Sequence, residues 1–275
     1  MGLIPKFFPD CVVAIGAKAG KGYTWVASGF LYGNYTSTNP NGTKQYGCYL
    51  VTNRHVFKEL EDLDFAFMRI NPQTNLPARE WALDLRDDQD VPTWFPHPNP
   101  DIDVAVTPID WNLLTSQGMQ VNIFRSDEHV ANIDKMNQIG VTEGDFVYVL
   151  GFPMGIVGGE KNVVIVRSGS VARIRDCLAK VNPRYLIDSF VFPGNSGGPV
   201  VLRPEAMTIP GTGRVPSPHL IGIVTGYLPY QDIAVSQQTG KTRIIFEDNS
   251  GLAAVHPIDY VDDAVKEHLD SLKKT

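Results

Sequence analysis

The chain has 275 residues, of which 43 % are hydrophobic and 20 % are charged, and its formal net charge is −6. This length and hydrophobic fraction are enough for one large domain or for two lobes with ordinary cores. No run of lysine and arginine suggests a surface that follows phosphates, and no apolar segment approaches the length needed to span a bilayer. We therefore expect neither a nucleic-acid partner nor a membrane partner.

Three cysteines, Cys11, Cys48 and Cys177, lie far apart and are odd in number. They suggest neither a metal-ligand pair nor a disulfide framework, and sparse unpaired thiols fit a reducing compartment. A Pro-Asp pair interrupts the first apolar run, whereas a signal peptide needs that run unbroken. The sequence therefore predicts a cytoplasmic protein without metal or cofactor, whose first strand covers residues 11–16.

Short β-rich segments separated by Gly, Pro and Asn make up most of the chain, and this spacing is typical of an all-β sandwich or a pair of barrels. In chain order the segments are CVVAIGA, YTWVASGFLYG, CYLVTNRHVF, FAFMRI, DVAVTPI, DFVYVLGF, NVVIVRSGSVARI, RYLIDSF, GGPVVL, HLIGIVTGYL and TRIIF. A weak helical pattern covers residues 126–138. A clear one follows Pro257, where apolar residues recur at steps of three and four from Ile258 to Leu272.

A polar stretch divides the chain into two strand-rich halves. We interpret residues 1–112 as a first barrel, 113–144 as the crossing between barrels, 145–257 as a second barrel and 258–275 as a C-terminal helix.

Three insertions are predicted to be loops, at residues 71–100, 203–218 and 231–241. The first carries Asp84, Asp87, Asp88 and Asp90, but the spacing and central Gly of an EF-hand are absent. A solvated acidic loop is therefore favoured over a calcium site.

The segment from Pro193 to Pro199, PGNSGGP, places a serine in a tight turn between glycines. The backbone N–H groups of Gly194 and Ser196 can converge on one point there, and such a pair of donors forms an oxyanion hole. A serine hydroxyl is a poor nucleophile until a base takes its proton, so the turn becomes informative only with a base elsewhere.

Histidine suits the role of base because its pKa lies near neutrality. Among the six histidines, His55 differs from the rest because it ends a strong strand pattern, YLVTNRHV. For the other five a surface or core role is favoured: His97, His129, His219, His256 and His268.

The imidazole also needs a carboxylate on its other nitrogen. Asp101 and Asp103 both precede the apolar run VAV and would share one face of a strand, so both remain candidates. With Asp103, the chain order is His55, Asp103, Ser196, which is the chymotrypsin order and not that of subtilisin or the α/β-hydrolases. A cleft between the two barrels would then hold all three side chains.

These segments together resemble a chymotrypsin-fold serine protease, and most of all the protease domain of the HtrA (Deg) branch. The similar segments are ASGFL (27–31), LVTNRHV (50–56), DVAV (103–106), GFPMG (151–155), SGSV (168–171), PGNSGGP (193–199) and the strand-to-helix ending at 252–261.

The resemblance implies two six-stranded antiparallel β-barrels with a C-terminal helix. It also implies a triad of His55, Asp103 and Ser196. The oxyanion hole would lie at Gly194 and Ser196, with Asn195 between them. The HtrA PDZ domain, trimeric assembly and secretion are not carried over, and the oligomeric state stays open.

The sequence Ile156-Val157-Gly158-Gly159 resembles the mature N-terminus of many trypsin-like proteases. In those relatives the freed amine pairs with an aspartate directly before the serine, but here that position is Asn195. We therefore interpret the segment as a Gly-rich hairpin loop leading into residues 162–166, and not as an activation site.

By the same resemblance, Phe190 and Val191 form the base of the specificity pocket, and Thr225, Gly226 and Tyr227 form its opposite wall. A pocket for lysine or arginine needs a carboxylate at its base, and Phe190 stands in that place. The sequence therefore predicts cleavage after small or medium apolar residues. Two alternatives stay open: Phe190 plugs the pocket, or Asp188 or Asp232 reaches it.

The predicted function is that of a serine endopeptidase that acts on a protein or peptide through an acyl-enzyme. A catalytically silent protease fold that serves as a binding module is the alternative. A hydrolase or acyltransferase that does not act on peptides is remote.

Overall fold

The structure is a computed structural model, and it describes residues 4–205, 215 and 217–273. The strands of this part of the chain are β1 (Val12–Ala19), β2 (Gly22–Thr38), β3 (Lys44–Thr52), β4 (Phe65–Ile70), β5 (Arg79–Asp84), β6 (Phe95–Pro96), β7 (Ala105–Pro108), β8 (Phe124–Arg125), β9 (Phe146–Gly151), β10 (Ile165–Arg173), β11 (Tyr185–Asp188), β12 (Pro199–Leu202), β13 (His219–Val235) and β14 (Thr242–Pro257). The helices are α1 (Phe7–Asp10), α2 (Arg54–Leu60), α3 (Trp111–Ser116), α4 (Ile133–Ile139), α5 (Arg175–Leu178) and α6 (Asp259–Leu272), with a 3₁₀ turn at Pro153–Gly155.

The N-terminal half is an eight-stranded sheet in the order β5-β4-β1-β2-β3-β7-β6, with β8 parallel to β2. Six of its strands have four or more residues and two have only two residues. Its core contains Val13, Ile15, Leu31, Leu50 and Met68, all at most 2 % exposed. These apolar side chains come from neighbouring strands, so their burial holds the sheet in one register.

The C-terminal half is a closed barrel in the order β10-β11-β14-β13-β12-β9. Val147, Val149, Ile187, Val200 and Ile221 fill it and are fully buried. The predicted fold class is confirmed: the chain is mostly β, with a closed six-stranded barrel, a second sheet and a C-terminal helix. The second sheet differs from the predicted six-stranded barrel in two ways: its strand order runs from β5 to β6 without closing, and it includes two short strands, β6 and β8.

Helix α6 packs across the N-terminal sheet, so the end of the chain joins the two halves. Val261 and Val265 lie in a core cluster with Phe30 and Val106 of the first half and with Leu220 of the second. The predicted C-terminal helix is confirmed. The weak pattern at 126–138 corresponds to the shorter helix α4, whose first turn is capped by the side chain of Asn132.

Two of the three predicted loops contain strands. Strand β5 lies within residues 71–100 and pairs with β4. Residues 231–235 are the end of β13, which pairs with β14 as a two-stranded ribbon, and residues 236–241 connect the two strands. The prediction of a loop was wrong for residues 231–235, where the β-branched Ile233 and Val235 favour extended backbone. Most of the predicted loop at 203–218 lies outside the described residues.

No helix in the described part of the chain is long and apolar enough to cross a membrane. The same residues contain no cluster of three or more His, Cys, Asp or Glu side chains that could hold a metal ion.

Candidate active site

His55 lies in the first turn of α2, directly after strand β3. Asn53 occupies the N-cap position with extended backbone, and its side chain Nδ2 donates to the carbonyl of Asp103 at 2.7 Å. Buried Val56 and Phe57 anchor the helix beneath the histidine. The strand-to-helix switch thus fixes the imidazole at the rim of the N-terminal sheet.

Asp103 contacts His55 through both carboxylate oxygens. Its Oδ2 accepts from His55 Nδ1 at 2.6 Å, and its Oδ1 accepts from the backbone N–H of His55 at 2.9 Å. Ile102 and Val104 on either side are buried, so the carboxylate has little freedom to turn away. This contact fixes the tautomer that leaves Nε2 free to take a proton.

The electrostatics of the pair favour an ionised Asp103. Burial alone would raise the pKa of Asp103, but the hydrogen bonds and charge of His55 outweigh it and hold that pKa below its ordinary value. Burial alone would lower the pKa of His55, but the hydrogen bond and charge of Asp103, with a smaller effect from Glu59, raise it above its ordinary value. The two shifts agree in sign, as expected of a carboxylate that stabilises an imidazolium.

A second histidine, His256, contacts the backbone of Asp103. The backbone N–H of Asp103 donates to His256 Nε2 at 3.1 Å, and His256 Nδ1 lies 3.0 Å from the carbonyl of Pro183. Since Nε2 accepts, Nδ1 carries the proton and donates to that carbonyl. Burial lowers the pKa of His256 to about 4, so the ring is neutral at physiological pH. His256 thus links strand β14 of the barrel to the acid of the other half.

The serine lies at the end of a tight turn. The N–H of Asn195 donates to the carbonyl of Phe192 at 2.9 Å, which closes a four-residue turn with Pro193 and Gly194 at its centre. Gly194 has φ of +96°, and a Cβ there would lie 2.4 Å from the carbonyl oxygen of Phe152. Proline followed by a glycine with positive φ is the pairing that a type II turn requires.

The carbonyls of this turn point away from the cleft. Ser28 Oγ donates to the carbonyl of Gly194 at 2.6 Å, and the N–H of Met154 donates to the carbonyl of Pro193 at 2.6 Å. Within the described residues no acceptor takes the N–H of Gly194 or of Ser196. Both amides are therefore available to the oxygen of a bound carbonyl, as an oxyanion hole needs.

A cavity of about 410 Å³ joins these parts. His55 and Ser196 both line it, together with Val26, Glu59, Val191, Phe192, Pro193, Gly194, Asn195, Val224, Gly226, Tyr227, Pro229 and Glu247. In the described residues no hydrogen bond joins Ser196 Oγ to His55 Nε2. Such bonds are often long in unliganded enzymes and shorten when substrate binds.

Comparison with known proteins gives the family. Residues 27–205 match the sequence profile of the trypsin-like peptidase domain. The chain belongs to this family. No curated protein sequence matches the chain. Among solved structures, the MamO protease domain from Magnetospirillum magneticum, in its apo form, is similar with a TM-score of 0.48 and 17 % sequence identity, over 94 % of this chain and 96 % of that chain.

In this trypsin-like peptidase the three side chains predicted as a triad lie together, with His55 and Ser196 on one cavity and Asp103 behind the histidine. Of the two candidate aspartates, only Asp103 contacts the histidine in the described residues. Asp101 is exposed in a turn, where its N–H donates to Asn99 Oδ1 at 3.0 Å, while Asp103 holds His55.

Asn195, which the resemblance places in the oxyanion hole, does not offer its backbone N–H to it. The N–H of Asn195 is used within the turn, and its side-chain Oδ1 accepts from the N–H of Phe192 at 3.0 Å. Asn195 therefore shapes the hole without donating to it.

Of the residues predicted for the pocket, Val191, Gly226 and Tyr227 line the cavity, and Phe190 and Thr225 do not. Phe190 is 51 % exposed and lies over Gly251, so it is neither the base of the cavity nor a plug in the core. Thr225 turns towards the neighbouring strand, where its Oγ1 donates to the carbonyl of Ala254 at 3.1 Å.

The two carboxylates that line the cavity are Glu59 and Glu247, not the aspartates considered from sequence, Asp188 and Asp232. Tyr227 Oη donates to Glu247 Oε1 at 3.2 Å. The carboxylate of Glu247 was thus missed, because residues 242–247 of β14 pair back onto β13 in a way that no motif indicated.

The segment that resembles a mature N-terminus lies in a loop before β10. Ile156 is 47 % exposed, and the N–H of Val163 closes the loop by donating to the carbonyl of Val157 at 3.0 Å. Asn195 is buried, and its carbonyl-type Oδ1 already has a backbone donor. This arrangement supports the interpretation of a loop.

Sequence reasoning also missed Ser28 and His256. Ser28 Oγ accepts from the N–H of Phe152 at 2.9 Å while it donates to Gly194, so it connects the first half to the oxyanion turn. A serine inside an otherwise apolar strand was the available signal, because a fully buried hydroxyl needs partners.

Proposed function

We propose that this trypsin-like peptidase is a serine endopeptidase that cleaves protein or peptide substrates through an acyl-enzyme. The observation that carries the proposal is the two-point contact between Asp103 and His55, on the same cavity as Ser196 and the two unused amides. The site then contains a group for each role in acyl transfer: a nucleophile, a base, an orienting carboxylate and an oxyanion hole.

In the first half of the reaction, Ser196 Oγ attacks the carbonyl carbon of the bond to be cut, and His55 Nε2 takes its proton. Asp103 stabilises the resulting imidazolium. The N–H groups of Gly194 and Ser196 stabilise the tetrahedral oxyanion. His55 then returns the proton to the leaving amine, and the acyl group remains on Ser196.

In the second half, water takes the place of the leaving amine. His55 removes a proton from the water, which attacks the acyl carbon and releases the new carboxylate. Ser196 recovers its proton from His55, so the enzyme is unchanged after one turnover.

The cavity supports a preference for apolar residues before the cut bond. Val191, Phe192 and Val224 line it, and an apolar side chain gains roughly 1.5–3 kcal/mol from burial. The carboxylate of Glu247 lies at the same cavity but already accepts from Tyr227 and from Gln231 Nε2.

A peptide-library profile tests this preference. We expect cleavage after Val, Ala or Leu, and the same profile for Glu247→Gln. A preference for Lys or Arg that disappears in Glu247→Gln would contradict the apolar assignment and give Glu247 the role of a cation-binding group.

A silent binding module is the second candidate, and the observation that favours it is that no hydrogen bond joins Ser196 Oγ to His55 Nε2 in the described residues. Hydrolysis of the library by the purified chain and by Ser196→Ala separates the two. We expect cleavage by the first protein and none by the second. Equal rates, or none for either protein, would favour the binding module.

A cytoplasmic location is also part of the proposal. All three cysteines, Cys11, Cys48 and Cys177, are free thiols in the structure, and such thiols fit a reducing compartment.

A further inference from the structure

Strands β13 and β14 continue well beyond the barrel as a two-stranded ribbon, defined here as residues 229–249. Pairing of β14 with β11 ends at Leu252, and pairing of β13 with β12 involves no residue beyond Ile223. The two strands then pair only with each other, from Pro229↔Asn249 to Val235↔Thr242. A two-stranded unit of this kind is marginally stable unless something packs on it.

The ribbon carries a concentration of exposed apolar side chains. Six large ones are each more than half exposed: Tyr230, Ile233, Val235, Ile244, Ile245 and Phe246. Soluble chains rarely leave so many apolar side chains together on a free strand edge, because such an edge pairs readily with another strand. The ribbon therefore has the composition of a surface that is covered in the working protein.

The outer edge of β14 is one of the two ribbon edges that a further strand can reach. Over residues 242–248 no strand of the described part of the chain pairs with this edge. Alternate backbone N–H and C=O groups of an edge strand point outward and are unpaired. A partner strand that lies along this edge would satisfy them.

The sequence of this edge is complementary to itself. Its centre reads Arg243-Ile244-Ile245-Phe246-Glu247, with a cation and an anion at equal distances from Ile245. In an antiparallel pair, residues directly opposite lie on the same face and interact, and opposite charges there are favourable.

We propose that the ribbon is a dimer interface, in which the outer edge of β14 pairs antiparallel with the same edge of a second copy about a two-fold axis at Ile245. Arg243 of each copy then lies opposite Glu247 of the other, and Ile244 lies opposite Phe246. A two-fold contact uses the same patch on both subunits, so a single strand can supply both halves of the interface.

Other two-fold registers fit this sequence less well. With the axis at Ile244, Arg243 would lie opposite Ile245. With the axis at Phe246, Ile244 would lie opposite Asp248. The register centred on Ile245 pairs both charges and both apolar neighbours. This self-complementarity favours a second copy of the chain over an unrelated apolar partner.

The dimer would also reach the rim of the candidate active site. Glu247 lines the cavity that holds His55 and Ser196. Arg243 of the second copy would lie beside that carboxylate and offset its charge. The interface itself is independent of the proposed catalysis, since it depends on the ribbon and not on Ser196.

Sedimentation equilibrium of the full chain and of charge-reversal variants tests the proposal. We expect a dimer for the wild type. Arg243→Glu and Glu247→Arg should each raise the dimer dissociation constant roughly tenfold or more, because each places like charges opposite one another twice. The double variant R243E/E247R should dimerise again, and an equimolar mixture of the two single variants should form a heterodimer.

Lys241→Glu is the matched control, because it reverses a charge directly before β14, at a position that would lie opposite Asn249 of the second copy. It should leave the dimer intact, and circular dichroism should show that every variant is folded. A monomeric wild type would overturn the proposal. So would a dimer that survives both single reversals, equal loss in Lys241→Glu, or a double variant that stays monomeric.

Discussion

The polar chain behind the nucleophile runs from His256 through Asp103 to His55, and it crosses from one half of the molecule to the other. Asp103 is therefore held at its backbone by His256 and at its carboxylate by His55. The sequence located this acid only to within two residues, because Asp101 and Asp103 share a strand periodicity. Which carboxylate turned inward depended on the turn at Asn99, which no local pattern specified.

Replacement of the acid tests this arrangement. Asp103→Asn should lower kcat by roughly 10³- to 10⁴-fold, because the imidazole loses the charge that orients and stabilises it. Asp101→Asn is the matched control and should retain nearly full activity. Steady-state kinetics on one peptide substrate checks both. A severe loss in Asp101→Asn with little loss in Asp103→Asn would show that the acid is misassigned.

The pH dependence of kcat/KM tests the contact between Asp103 and His55. The pKa of His55 is raised above its ordinary value of 6.5. His55 must be neutral to act as base, so kcat/KM should rise with pH through an apparent pKa above 6.5 and level off beyond it. Asp103→Asn removes the charge that raises this pKa, so the residual activity should rise at a lower pH. An unchanged midpoint in the variant would contradict the assignment.

At the scale of elements, the oxyanion turn depends on a strand of the other half. Ser28 on β2 fixes the carbonyl of Gly194, and the N–H of Met154 fixes the carbonyl of Pro193, whose peptide plane carries the N–H of Gly194. The sequence predicted the turn itself because Pro-Gly and the small neighbours of Ser196 have strong local preferences. It could not predict Ser28, because that contact joins residues 166 positions apart.

Removal of this hydroxyl should weaken catalysis through the turn. Ser28→Ala leaves the carbonyl of Gly194 and the N–H of Phe152 unpaired in a buried site, which costs about 1–3 kcal/mol of stability. We expect kcat to fall roughly tenfold to a hundredfold, which is less than removal of a whole oxyanion donor costs.

Ser37→Ala on β2 is the matched control, because Ser37 is exposed. It should change neither kcat nor the stability of the fold. Kinetics together with thermal unfolding measures both effects. A Ser28→Ala variant that loses stability but keeps the wild-type kcat would leave Ser28 with a packing role only.

The ribbon and the specificity pocket show where local reading of a sequence fails. The polar stretch from Gln231 to Lys241 predicted a loop, yet its first five residues continue β13 and pair with β14. Phe190 was placed at the base of the pocket by counting back from Ser196, but its ring lies outward over Gly251. The number of residues before a turn fixes a backbone position and not the direction of a side chain.

At the scale of the whole molecule, helix α6 ties the C-terminal barrel to the N-terminal sheet through a partly buried polar contact. Tyr32 Oη donates to Asp262 Oδ1 at 2.5 Å. Burial, with the charges of Asp259 and Asp263, raises the pKa of Asp262 from 3.8 to about 6, against the opposing effect of the Tyr32 hydrogen bond.

A raised carboxyl pKa means that the folded chain binds a proton more readily than the unfolded chain. The contribution of Asp262 to stability therefore falls as pH rises from about 4 to about 6, and stays constant above that range. Asp262→Asn keeps an acceptor for Tyr32 but cannot ionise. Relative to the wild type, the variant should gain about 1–2 kcal/mol between pH 4.5 and pH 7.5. Urea unfolding at the two pH values measures the free energy of unfolding of both proteins. If the variant differs from the wild type by the same amount at both pH values, the raised pKa of Asp262 is contradicted.

The central claim is that Ser196 is an activated nucleophile in the uncut chain. Labelling with a fluorophosphonate, followed by mass spectrometry of the intact protein and of its peptides, tests it most directly. We expect one label on Ser196 of the full-length chain, and none on Ser196→Ala or His55→Ala. An unlabelled wild type, a label on another residue, or a label confined to a fragment that begins at Ile156 would contradict the account.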